Sequence, residues 1–442
     1  MGFSNNGSSG SISGSSDVAL NNVNADSVLL YDADIAKWRN SIQPMASASR
    51  TGSSAVGQDE LVINIQDHGA RGNGDDITNL MTALMPTISK KLLFTSTYAI
   101  PALYFPTGRY RIDANVLAFT DRVKIFGDGP GNSMLELRNG STSGDIISLS
   151  GAFSSVSDMF ISGRSSSQTN AQDGIAINTS YALIQNIYFD DINGDGISVG
   201  KTATSILSRI SECLMRDCTG YGIQFNNSTS TDNMIYNTDI GRSGKSGMWL
   251  NASGQNLVNV HVWGNGIIST TNGEMDGITI SNNSQQLSNV QSETNNGKGI
   301  NILGGNNHLI TAKIWNNRSN GIHAVNSTNT MIDAVVYNAG LFNISGTNSA
   351  AAAAICLDNC TGCSVRLVAR DTGQIIGPAS YTTTPPNPFI GRASAVQTQS
   401  YGIVELNGSD SNHYSGVCRA INQRVGALSL LGTSNIVSVV AN

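Results

Sequence analysis

The stretch Gly297-Lys298-Gly299-Ile300-Asn301-Ile302 contains a short pattern that recurs along the chain: a glycine, an apolar residue, any residue and a second apolar residue. The glycine of this pattern stands at positions 174, 196, 222, 247, 277, 299 and 321, so the intervals are 22, 26, 25, 30, 22 and 22 residues. A period of about 22 residues is typical of one coil of a solenoid. The repeat therefore predicts an all-β protein built from stacked coils, with extra residues inserted in the longer intervals.

Each copy of the pattern predicts a strand with one face inside the solenoid. Alternate residues of a strand point to opposite faces, so Ile300 and Ile302 are expected inside and the residue between them outside. The glycine at 299 is expected to allow a sharp bend before the strand. The predicted outward column comprises Ala176, Ser198, Gln224, Trp249, Thr279, Asn301 and His323.

Two features beside these strands are given structural roles. Trp249 and His323 lie on the outward column and are expected to form a contact between subunits. The aspartates that directly precede the repeated glycine are predicted to be turn formers: Asp173, Asp195 and Asp276.

The composition favours one elongated repeat domain with appendages over several globular domains. The 442 residues include 47 glycines, while charged residues make up 13% and hydrophobic residues 39%. The net charge of −6 gives no basic surface for nucleic acid. No apolar run reaches about 18 residues, so no membrane insertion is predicted. The first residues, MGFSNNGSSGSISGSS, lack the basic and apolar regions of a signal peptide, so export by the general secretory route is not expected.

Six cysteines are present, and Cys360 and Cys363 form a CxxC pair with Cys356 close by. That spacing is half of a zinc site, but no second pair or histidine cluster accompanies it. We therefore predict no bound metal and no cofactor. The thiols are expected to fill the core of a protein made in a reducing cell.

The N-terminal residues divide into three segments. Residues 1–16 are rich in Ser, Gly and Asn and are predicted to be flexible or ordered by a partner. Residues 17–40, DVALNNVNADSVLLYDADIAKWRN, resemble a short module found near the attachment ends of phage tail fibres and tailspikes; residues 41–59 are predicted to be a linker. The resemblance implies attachment to a phage tail or baseplate. The matching positions are Asp17, Val18, Leu20, Leu30, Tyr31, Asp32, Trp38 and Asn40.

A second resemblance covers residues 60–135, where three stretches follow in order: VINIQDHGARGNGDDITNLMTALM, LYFPTGRYRI and VKIFGDGPGNSML. They resemble the beginning of the parallel β-helices of the pectate-lyase-like superfamily, although Asn73 stands where aspartate is usual. The resemblance implies a right-handed single-stranded parallel β-helix that continues over residues 136–442, with an N-terminal capping helix. The matching positions are Asp67, Gly69, Ala70, Gly72 and Gly74, and the apolar face expected on the helix is Leu80, Ala83, Leu84 and Ile88.

The ends of such a solenoid suggest how it assembles. An uncovered end exposes strand edges and invites aggregation. The helix is expected to cover one end, while the sequence is still strand-like at Asn442. Because β-helical tailspikes are typically parallel homotrimers, the resemblance implies a homotrimer.

Candidate functional residues emerge when the strand that precedes each repeated glycine is aligned. Counting back six residues, with corrections for insertions, predicts an outward column of Asp190, Arg216, Asp239, Trp263, Glu293 and Trp315. Two positions earlier the same face carries Tyr188, His261, Gln291 and Lys313. Stacked coils lie about 4.8 Å apart, so these residues form one acidic and aromatic surface. We predict catalytic carboxylates at Glu293, Asp239 and Asp190, and substrate-binding side chains at Trp263, Trp315, His261, Arg216, Lys313, Gln291, Tyr188 and Tyr337.

This mixture suits a glycan, because aromatic rings cover the apolar face of a sugar and paired carboxylates cleave a glycosidic bond. Asp239 and Glu293 are expected two coils apart, with backbones about 10 Å apart. Side-chain lean would bring their carboxyl groups into the about 6.5–9.5 Å range of inverting hydrolases. The alternatives are a lyase with Arg216 or Lys313 as the base, a glycan-binding adhesin without catalysis, and carboxylates that only solvate the surface.

The sequence thus predicts a phage tailspike that is made in the host cytoplasm, resides in the virion tail and acts at the bacterial surface. Its partner would be a bacterial surface polysaccharide: capsule, exopolysaccharide or O-antigen. Hydrolysis of glycosidic bonds by two carboxylates is the predicted reaction.

Overall fold

The computed structural model describes residues 18–19, 27–32, 37–42, 62–94, 102–269, 271, 273–340, 353–370, 401–418 and 426–441. The chain divides into two compact units, Met1–Leu61 and Val62–Asn442. Strands are numbered in chain order below.

The first unit contains a three-stranded sheet. Its strands are β1 (Val18–Ala19), β2 (Ser27–Asp32) and β3 (Lys37–Ile42). Strand β3 pairs antiparallel with β2 and parallel with β1, and it extends two residues past the predicted module end at Asn40. The function of this module as a virion attachment stays a prediction, while residues 1–16 and 43–59 lie outside the described residues.

The second unit is a parallel β-helix, which confirms the predicted all-β fold. Its strands form two long sheets, in which every described pairing is parallel and joins one coil to the next. The long-strand sheet comprises β4 (Val62–Asn64), β5 (Asn73–Asp76), β6 (Ala102–Phe105), β7 (Gly108–Ile112), β9 (Lys124–Gly127), β10 (Ser133–Leu137), β12 (Ser155–Ser162), β14 (Leu183–Asp190), β16 (Arg209–Ser211), β17 (Leu214–Arg216), β19 (Met234–Gly241), β21 (Asn256–Trp263), β23 (Gln286–Glu293), β26 (Leu309–Trp315), β29 (Met331–Tyr337), β31 (Ser364–Arg370), β33 (His413–Cys418) and β35 (Ile436–Ala441).

The short-strand sheet carries the repeated pattern. Its strands are β8 (Leu117–Phe119), β11 (Gly144–Leu149), β13 (Gln172–Ile177), β15 (Ile197–Val199), β18 (Ile223–Phe225), β20 (Met248–Leu250), β22 (Ile278–Ile280), β24 (Ile300–Ile302), β27 (Ile322–Val325), β30 (Ala353–Asp358), β32 (Tyr401–Leu406) and β34 (Gly426–Ser429). A further pair is formed by β25 (Gly305–Asn306) and β28 (Ser327–Thr328). Two short 3-10 helices span Ile65–His68 and Ser165–Ser167.

The apolar pairs of the repeat fill the interior, as predicted. Ile300 and Ile302 are fully buried and belong to one continuous core cluster that runs through the described coils. Because each coil contributes such a pair directly above the pair of the coil before, the core is a column of stacked aliphatic side chains.

The bend predicted at Gly299 is present, directly before β24, and the repeated glycines also serve close packing between coils. The φ of this residue is not among the left-handed values of the described residues. A Cβ there would lie 2.6 Å from the carbonyl oxygen of Gly321 in the next coil. The same approach, between 2.5 and 2.8 Å, recurs at Gly174, Gly196, Gly222, Gly247 and Gly277. Only a residue without a side chain lets successive coils come this close.

The predicted exposure of the middle residues is also corrected. Ser198, Thr279 and Asn301 are almost completely buried, and the last two are hydrogen-bonded to the chain before β22. The hydroxyl of Thr279 donates to the carbonyl of Gly273 at 2.7 Å, and Asn301 Nδ2 donates to Asp276 Oδ2 at 2.7 Å. The outer face of this sheet is therefore covered and polar at these three positions, whereas Gln224, Trp249 and His323 are only partly buried.

The aspartates before the repeated glycines join coils rather than close isolated turns. Asp173 Oδ1 accepts from the backbone N–H of Asp195 at 2.9 Å, and Asp195 Oδ1 accepts from the N–H of Tyr221 at 2.9 Å. Asp276 Oδ1 accepts from the N–H of Lys298 at 2.7 Å. Each carboxylate thus satisfies a backbone donor of the following coil.

The predicted helix forms as α1 (Thr78–Phe94), and three of the four residues expected on its apolar face contact the core: Leu80, Leu84 and Ile88. Met81 and Ile88 are buried in the core cluster, and Leu84 packs against it, whereas Ala83 is exposed. A residue two positions from Met81 is turned by roughly 200° around the helix axis, which explains why Ala83 faces outward. That the helix covers the end of the solenoid, and that the protein is a homotrimer, stay predictions.

All six cysteines are buried and free, as expected for thiols that fill a core. Within the described part of the chain, no three His, Cys, Asp or Glu side chains converge as a metal site would require. Among these described residues no helix has the length and apolarity needed to cross a membrane.

Candidate functional site

Two outward columns run across the long-strand sheet from β14 to β31. Strand register defines them. The first column comprises Asp190, Arg216, Gly241, Trp263, Glu293, Trp315, Tyr337 and Arg370, and the second column comprises Tyr188, Leu214, Asp239, His261, Gln291, Lys313, Val335 and Val368.

One predicted position is corrected by this register. Asp239 lies in the second column, in register with Leu214 and His261, and Gly241 takes the place predicted for it. The connection between Gly241 and Gly247 has the same six-residue length as in neighbouring coils, so the correction for an insertion was wrong. The insertion lies one coil later, between Trp263 and β22.

A kink shared by three strands keeps the central residues in register. Asn237, Asn259 and Asn289 have left-handed backbone, with φ of 51°, 55° and 54°. Asparagine tolerates this conformation better than most residues. Their amides stack: Asn259 Nδ2 donates to Asn237 Oδ1 at 3.1 Å, and Asn289 Nδ2 donates to Asn259 Oδ1 at 2.7 Å. The residues two positions later, Asp239 and His261 among them, are therefore placed side by side.

Buried asparagines fix the ends of the same strands. Asn295, two residues after Glu293, accepts through Oδ1 from the backbone N–H and the side-chain amide of Asn265, at 3.1 and 2.9 Å. Its own Nδ2 donates to Asn317 Oδ1 at 2.9 Å. All three asparagines are fully buried, so the turn after each strand repeats without change.

The structure brings together Asp239, His261 and Glu293 on three consecutive coils. His261 Nδ1 lies 3.0 Å from Asp239 Oδ2, and its Nε2 lies 3.1 Å from Glu293 Oε1. The imidazole ring therefore bridges the two carboxylates that the sequence predicted as a catalytic pair. Trp263 adds a fourth member, since its Nε1 donates to Asp239 Oδ1 at 2.6 Å.

The charges of this cluster follow from its contacts. Burial favours neutral His261, but the hydrogen bonds to Asp239 and Glu293 outweigh burial and raise its pKa to about 9. Burial would raise the pKa of Asp239, yet the hydrogen bonds from His261 and Trp263 hold it below its usual value. At neutral pH the pair is therefore an imidazolium beside an ionised aspartate.

Asp190 lies apart from this cluster. It is two coils from Asp239 and in the other column. Burial, followed by the charges of Asp217 and Asp191, raises its pKa. Asp217 pairs with Arg242 at 2.8 Å, an ion pair that the sequence analysis did not identify.

Aromatic residues flank the cluster on both sides. On one side Lys313 Nζ lies 4.8 Å from the ring centre of Trp315, and Tyr337 follows in the next coil. On the other side Tyr188 packs edge to face against Phe160, with ring centres 4.8 Å apart. Phe160 was missed because the alignment of this column began at Asp190, counted back from the second repeated glycine, Gly196, one coil later.

Trp249 and His323 lie on the short-strand sheet and are partly covered by their own chain. The Trp249 ring lies 5.8 Å from that of Tyr221. Burial, with a smaller effect of Lys298, lowers the pKa of His323 to about 4. Their contact with another subunit stays a prediction.

No protein-family model and no curated protein matches the sequence. Solved structures match in fold. The A-module of a mannuronan C-5 epimerase from Azotobacter vinelandii is 14% identical with a TM-score of 0.68, over 86% of this chain and 99% of that one. A mutant DFA-IIIase from Arthrobacter chlorophenolicus A6 in complex with DFA-III is 14% identical with a TM-score of 0.55, over 85% of this chain and 99% of that one.

A phage protein has the same architecture. The enzymatically active domain of tailspike protein 2 of bacteriophage CBA120 is 14% identical with a TM-score of 0.52, over 95% of this chain and 55% of that one. Identities this low establish the fold alone. The chain therefore has the parallel β-helix fold that it shares with these two enzymes and with the tailspike domain of bacteriophage CBA120.

Proposed function

We propose that this chain binds a polysaccharide along the two outward columns and hydrolyses its glycosidic bonds with Asp239 and Glu293. The observation that carries the proposal is the bridge by His261, which holds these carboxylates on either side of one imidazole ring at 3.0 and 3.1 Å. The named activities of the epimerase and the DFA-IIIase of the same fold support a carbohydrate as the substrate.

The spacing suits an inverting reaction. The bridged oxygens are at most roughly 8 Å apart, since two hydrogen bonds and one imidazole ring join them. Inverting hydrolases separate their carboxyl groups by about 6.5–9.5 Å, which leaves room for a water molecule and the scissile bond. In this proposal the sugar chain lies over His261, with one carboxylate on each side.

The environments assign the two roles. Both oxygens of Asp239 accept hydrogen bonds, which keeps it ionised and suits the base that activates water. Glu293 uses only Oε1 in its bond to His261 and its side chain is 16% exposed, so this carboxylate is proposed to face the leaving group and to pass on to it the proton that the imidazolium of His261 holds at Nε2. Asp190, with its raised pKa, is the alternative acid.

The flanking residues are proposed to bind sugar rings and hydroxyl groups. Trp315 and Tyr337 are half-buried and in register on one side of the carboxylates, where their rings suit the apolar face of a sugar. Lys313 and Gln291 lie beside them in the second column, and Tyr188 and Arg216 take the corresponding role on the other side. These residues would make the site longer than one disaccharide.

Proton abstraction beside a uronate is the second candidate reaction. Arg216, His261 and Lys313 place three cations along the columns, which suits an acidic sugar, and mannuronan is such a polymer. Against it, Arg216 and Lys313 are four coils apart, too far to serve one uronate together. A glycan-binding adhesin would use the same surface without cleavage.

The biological setting is proposed from the tailspike fold and the N-terminal module. A virion tail protein, attached through residues 17–40 and assembled as a homotrimer, would meet a capsule, exopolysaccharide or O-antigen at the bacterial surface.

The test uses the purified full chain with capsule and lipopolysaccharide of the host strain. Hydrolysis releases fragments with new reducing ends, whereas a lyase releases a 4,5-unsaturated uronate. Glu293→Gln and Asp239→Asn are each expected to lower the rate by roughly a thousandfold, within the range for loss of a general acid or base. Asp333→Asn, an exposed carboxylate paired with Arg366 on the same sheet, is the control and should keep full activity. Full activity in both site variants would place the chemistry elsewhere.

A further inference from the structure

Gly241 occupies a place in the first column where no side chain fits. It lies in register with Arg216 on one side and Trp263 on the other. A Cβ at this position would be 2.3 Å from Cε2 and 2.5 Å from Cζ2 of Trp263. Its φ is outside the left-handed values of the described residues, so space, and not backbone conformation, requires glycine here.

The indole of Trp263 fills the space that Gly241 leaves. The ring leans from β21 back across β19, which brings Nε1 within 2.6 Å of Asp239 Oδ1. The guanidinium of Arg216 lies over the same ring, with Cζ 5.6 Å from the ring centre. The indole ring is thus held by contacts within the chain, whereas a sugar-stacking ring would leave its face open to the substrate.

The result is that both oxygens of Asp239 are fixed by one strand. Residues 261 and 263 point to the same face of β21. His261 Nδ1 is hydrogen-bonded to Oδ2 of Asp239, and Trp263 Nε1 donates to Oδ1. The charged carboxylate therefore cannot rotate without losing one of these hydrogen bonds. Such a bond contributes more than one between neutral groups.

We infer that Gly241 and Trp263 form a positioning pair that orients the carboxylate of Asp239, and that Trp263 acts through Asp239 instead of stacking on the substrate. Trp315 is the contrasting residue: it lies three coils from Asp239 and remains the proposed sugar-binding ring. The inference deepens the proposed function, on which its kinetic part rests; the orientation of Asp239 does not depend on it.

The first test measures Asp239 directly, by carbon NMR of aspartate carboxyl groups across a pH titration of the full chain. Asp239→Asn identifies the signal. Trp263→Phe replaces the indole by a smaller aromatic ring that has no N–H donor, and in Gly241→Ala the new methyl group displaces the indole. Both variants are expected to raise the titration midpoint of Asp239, which is its pKa, because they remove a hydrogen-bond donor that favours the ionised carboxylate. Trp315→Phe, the matched control, should leave it unchanged.

The second test separates positioning from sugar binding through kinetics on the host polysaccharide. Trp263→Phe should lower kcat by roughly a hundredfold, the cost of a small misplacement of a reacting group, with KM unchanged. The acid limb of its pH profile should move upward with the Asp239 midpoint. Trp315→Phe should instead raise KM.

The outcomes distinguish this inference from the proposed function. An Asp239 midpoint that stays in place in Trp263→Phe overturns the inference, even if Gly241→Ala fails to fold. A raised KM with unchanged kcat in Trp263→Phe does so as well, since it marks a sugar platform. If the wild-type chain cleaves no polysaccharide, the proposed hydrolysis fails, while an upward shift of the Asp239 midpoint still supports the positioning pair.

Discussion

The contacts of His261 predict how strongly its imidazolium form is favoured, in numbers that can be measured. Its pKa is raised from 6.5 to about 9, a change that corresponds to about 3 kcal/mol of preference for the imidazolium. Burial of the ring works against this preference, and the hydrogen bonds to Asp239 and Glu293 produce it. Because the side chain is 30% exposed, solvent screening reduces its contribution to folding to about 2 kcal/mol.

Removing one carboxylate tests the origin of this shift. In Glu293→Gln the ring keeps its contact with Asp239 and loses one anionic partner of nearly equal distance. We expect roughly half of the rise to disappear, about one pKa unit, and the same in Asp239→Asn. The measurement is a proton NMR titration of the histidine rings, in which His323 is separable because its pKa is lowered to about 4.

The sign of the pH dependence gives an independent check. A group whose pKa is raised by folding stabilises the fold below its unfolded pKa and loses this effect as pH rises through the folded value. The free energy of unfolding of wild type should therefore exceed that of His261→Gln by about 2 kcal/mol at about pH 6, and this difference should shrink towards about pH 10. Urea denaturation measures both. Asp333→Asn serves as the control; a difference that grows with pH, or a pKa near 9 in both carboxylate variants, would refute the reasoning.

Three further predictions concern the scaffold. Ile300→Ala should lower the free energy of unfolding by about 2–5 kcal/mol, because it opens a cavity between coils in a fully buried column. Asn295→Ala should cost about 1–3 kcal/mol, since the buried backbone N–H of Asn265 loses its acceptor; an unchanged urea midpoint in either variant would contradict the described packing. Cys360 and Cys363 should react with iodoacetamide only after denaturation, as judged by mass spectrometry, because both thiols are buried; modification of the native protein would show that this coil opens.

The coil period could be predicted from sequence because the repeat is local. Every coil must bury the same pair of apolar positions, so Ile300 and Ile302 fixed both the strand and its inward face. The same logic predicted the register of Glu293 with Trp315, because both stand six residues before a repeated glycine, whereas Trp263 was placed by allowing for the insertion before Gly277.

The repeated glycine has a second role that is not local and was not predicted. The bend before the strand follows from the sequence, but only the distance from Gly299 to the carbonyl of Gly321 in the next coil shows that the glycine is also needed for close packing. The burial of Asn301 depended likewise on the chain that folds over it, which the alternation of polar and apolar residues does not encode.

The sequence by itself determined the fold, the coil boundaries and the face that carries the candidate carboxylates, since these follow from a pattern repeated every coil. Only the tertiary structure decided which of those side chains meet. Asp239 lies in the second column beside His261 and not in the first column as predicted. The indole of Trp263 lies over Gly241 and contacts Asp239. Contacts of this kind depend on the direction of each side chain and on the space left by a neighbour on another coil. The spacing of residues along the chain predicts neither of these.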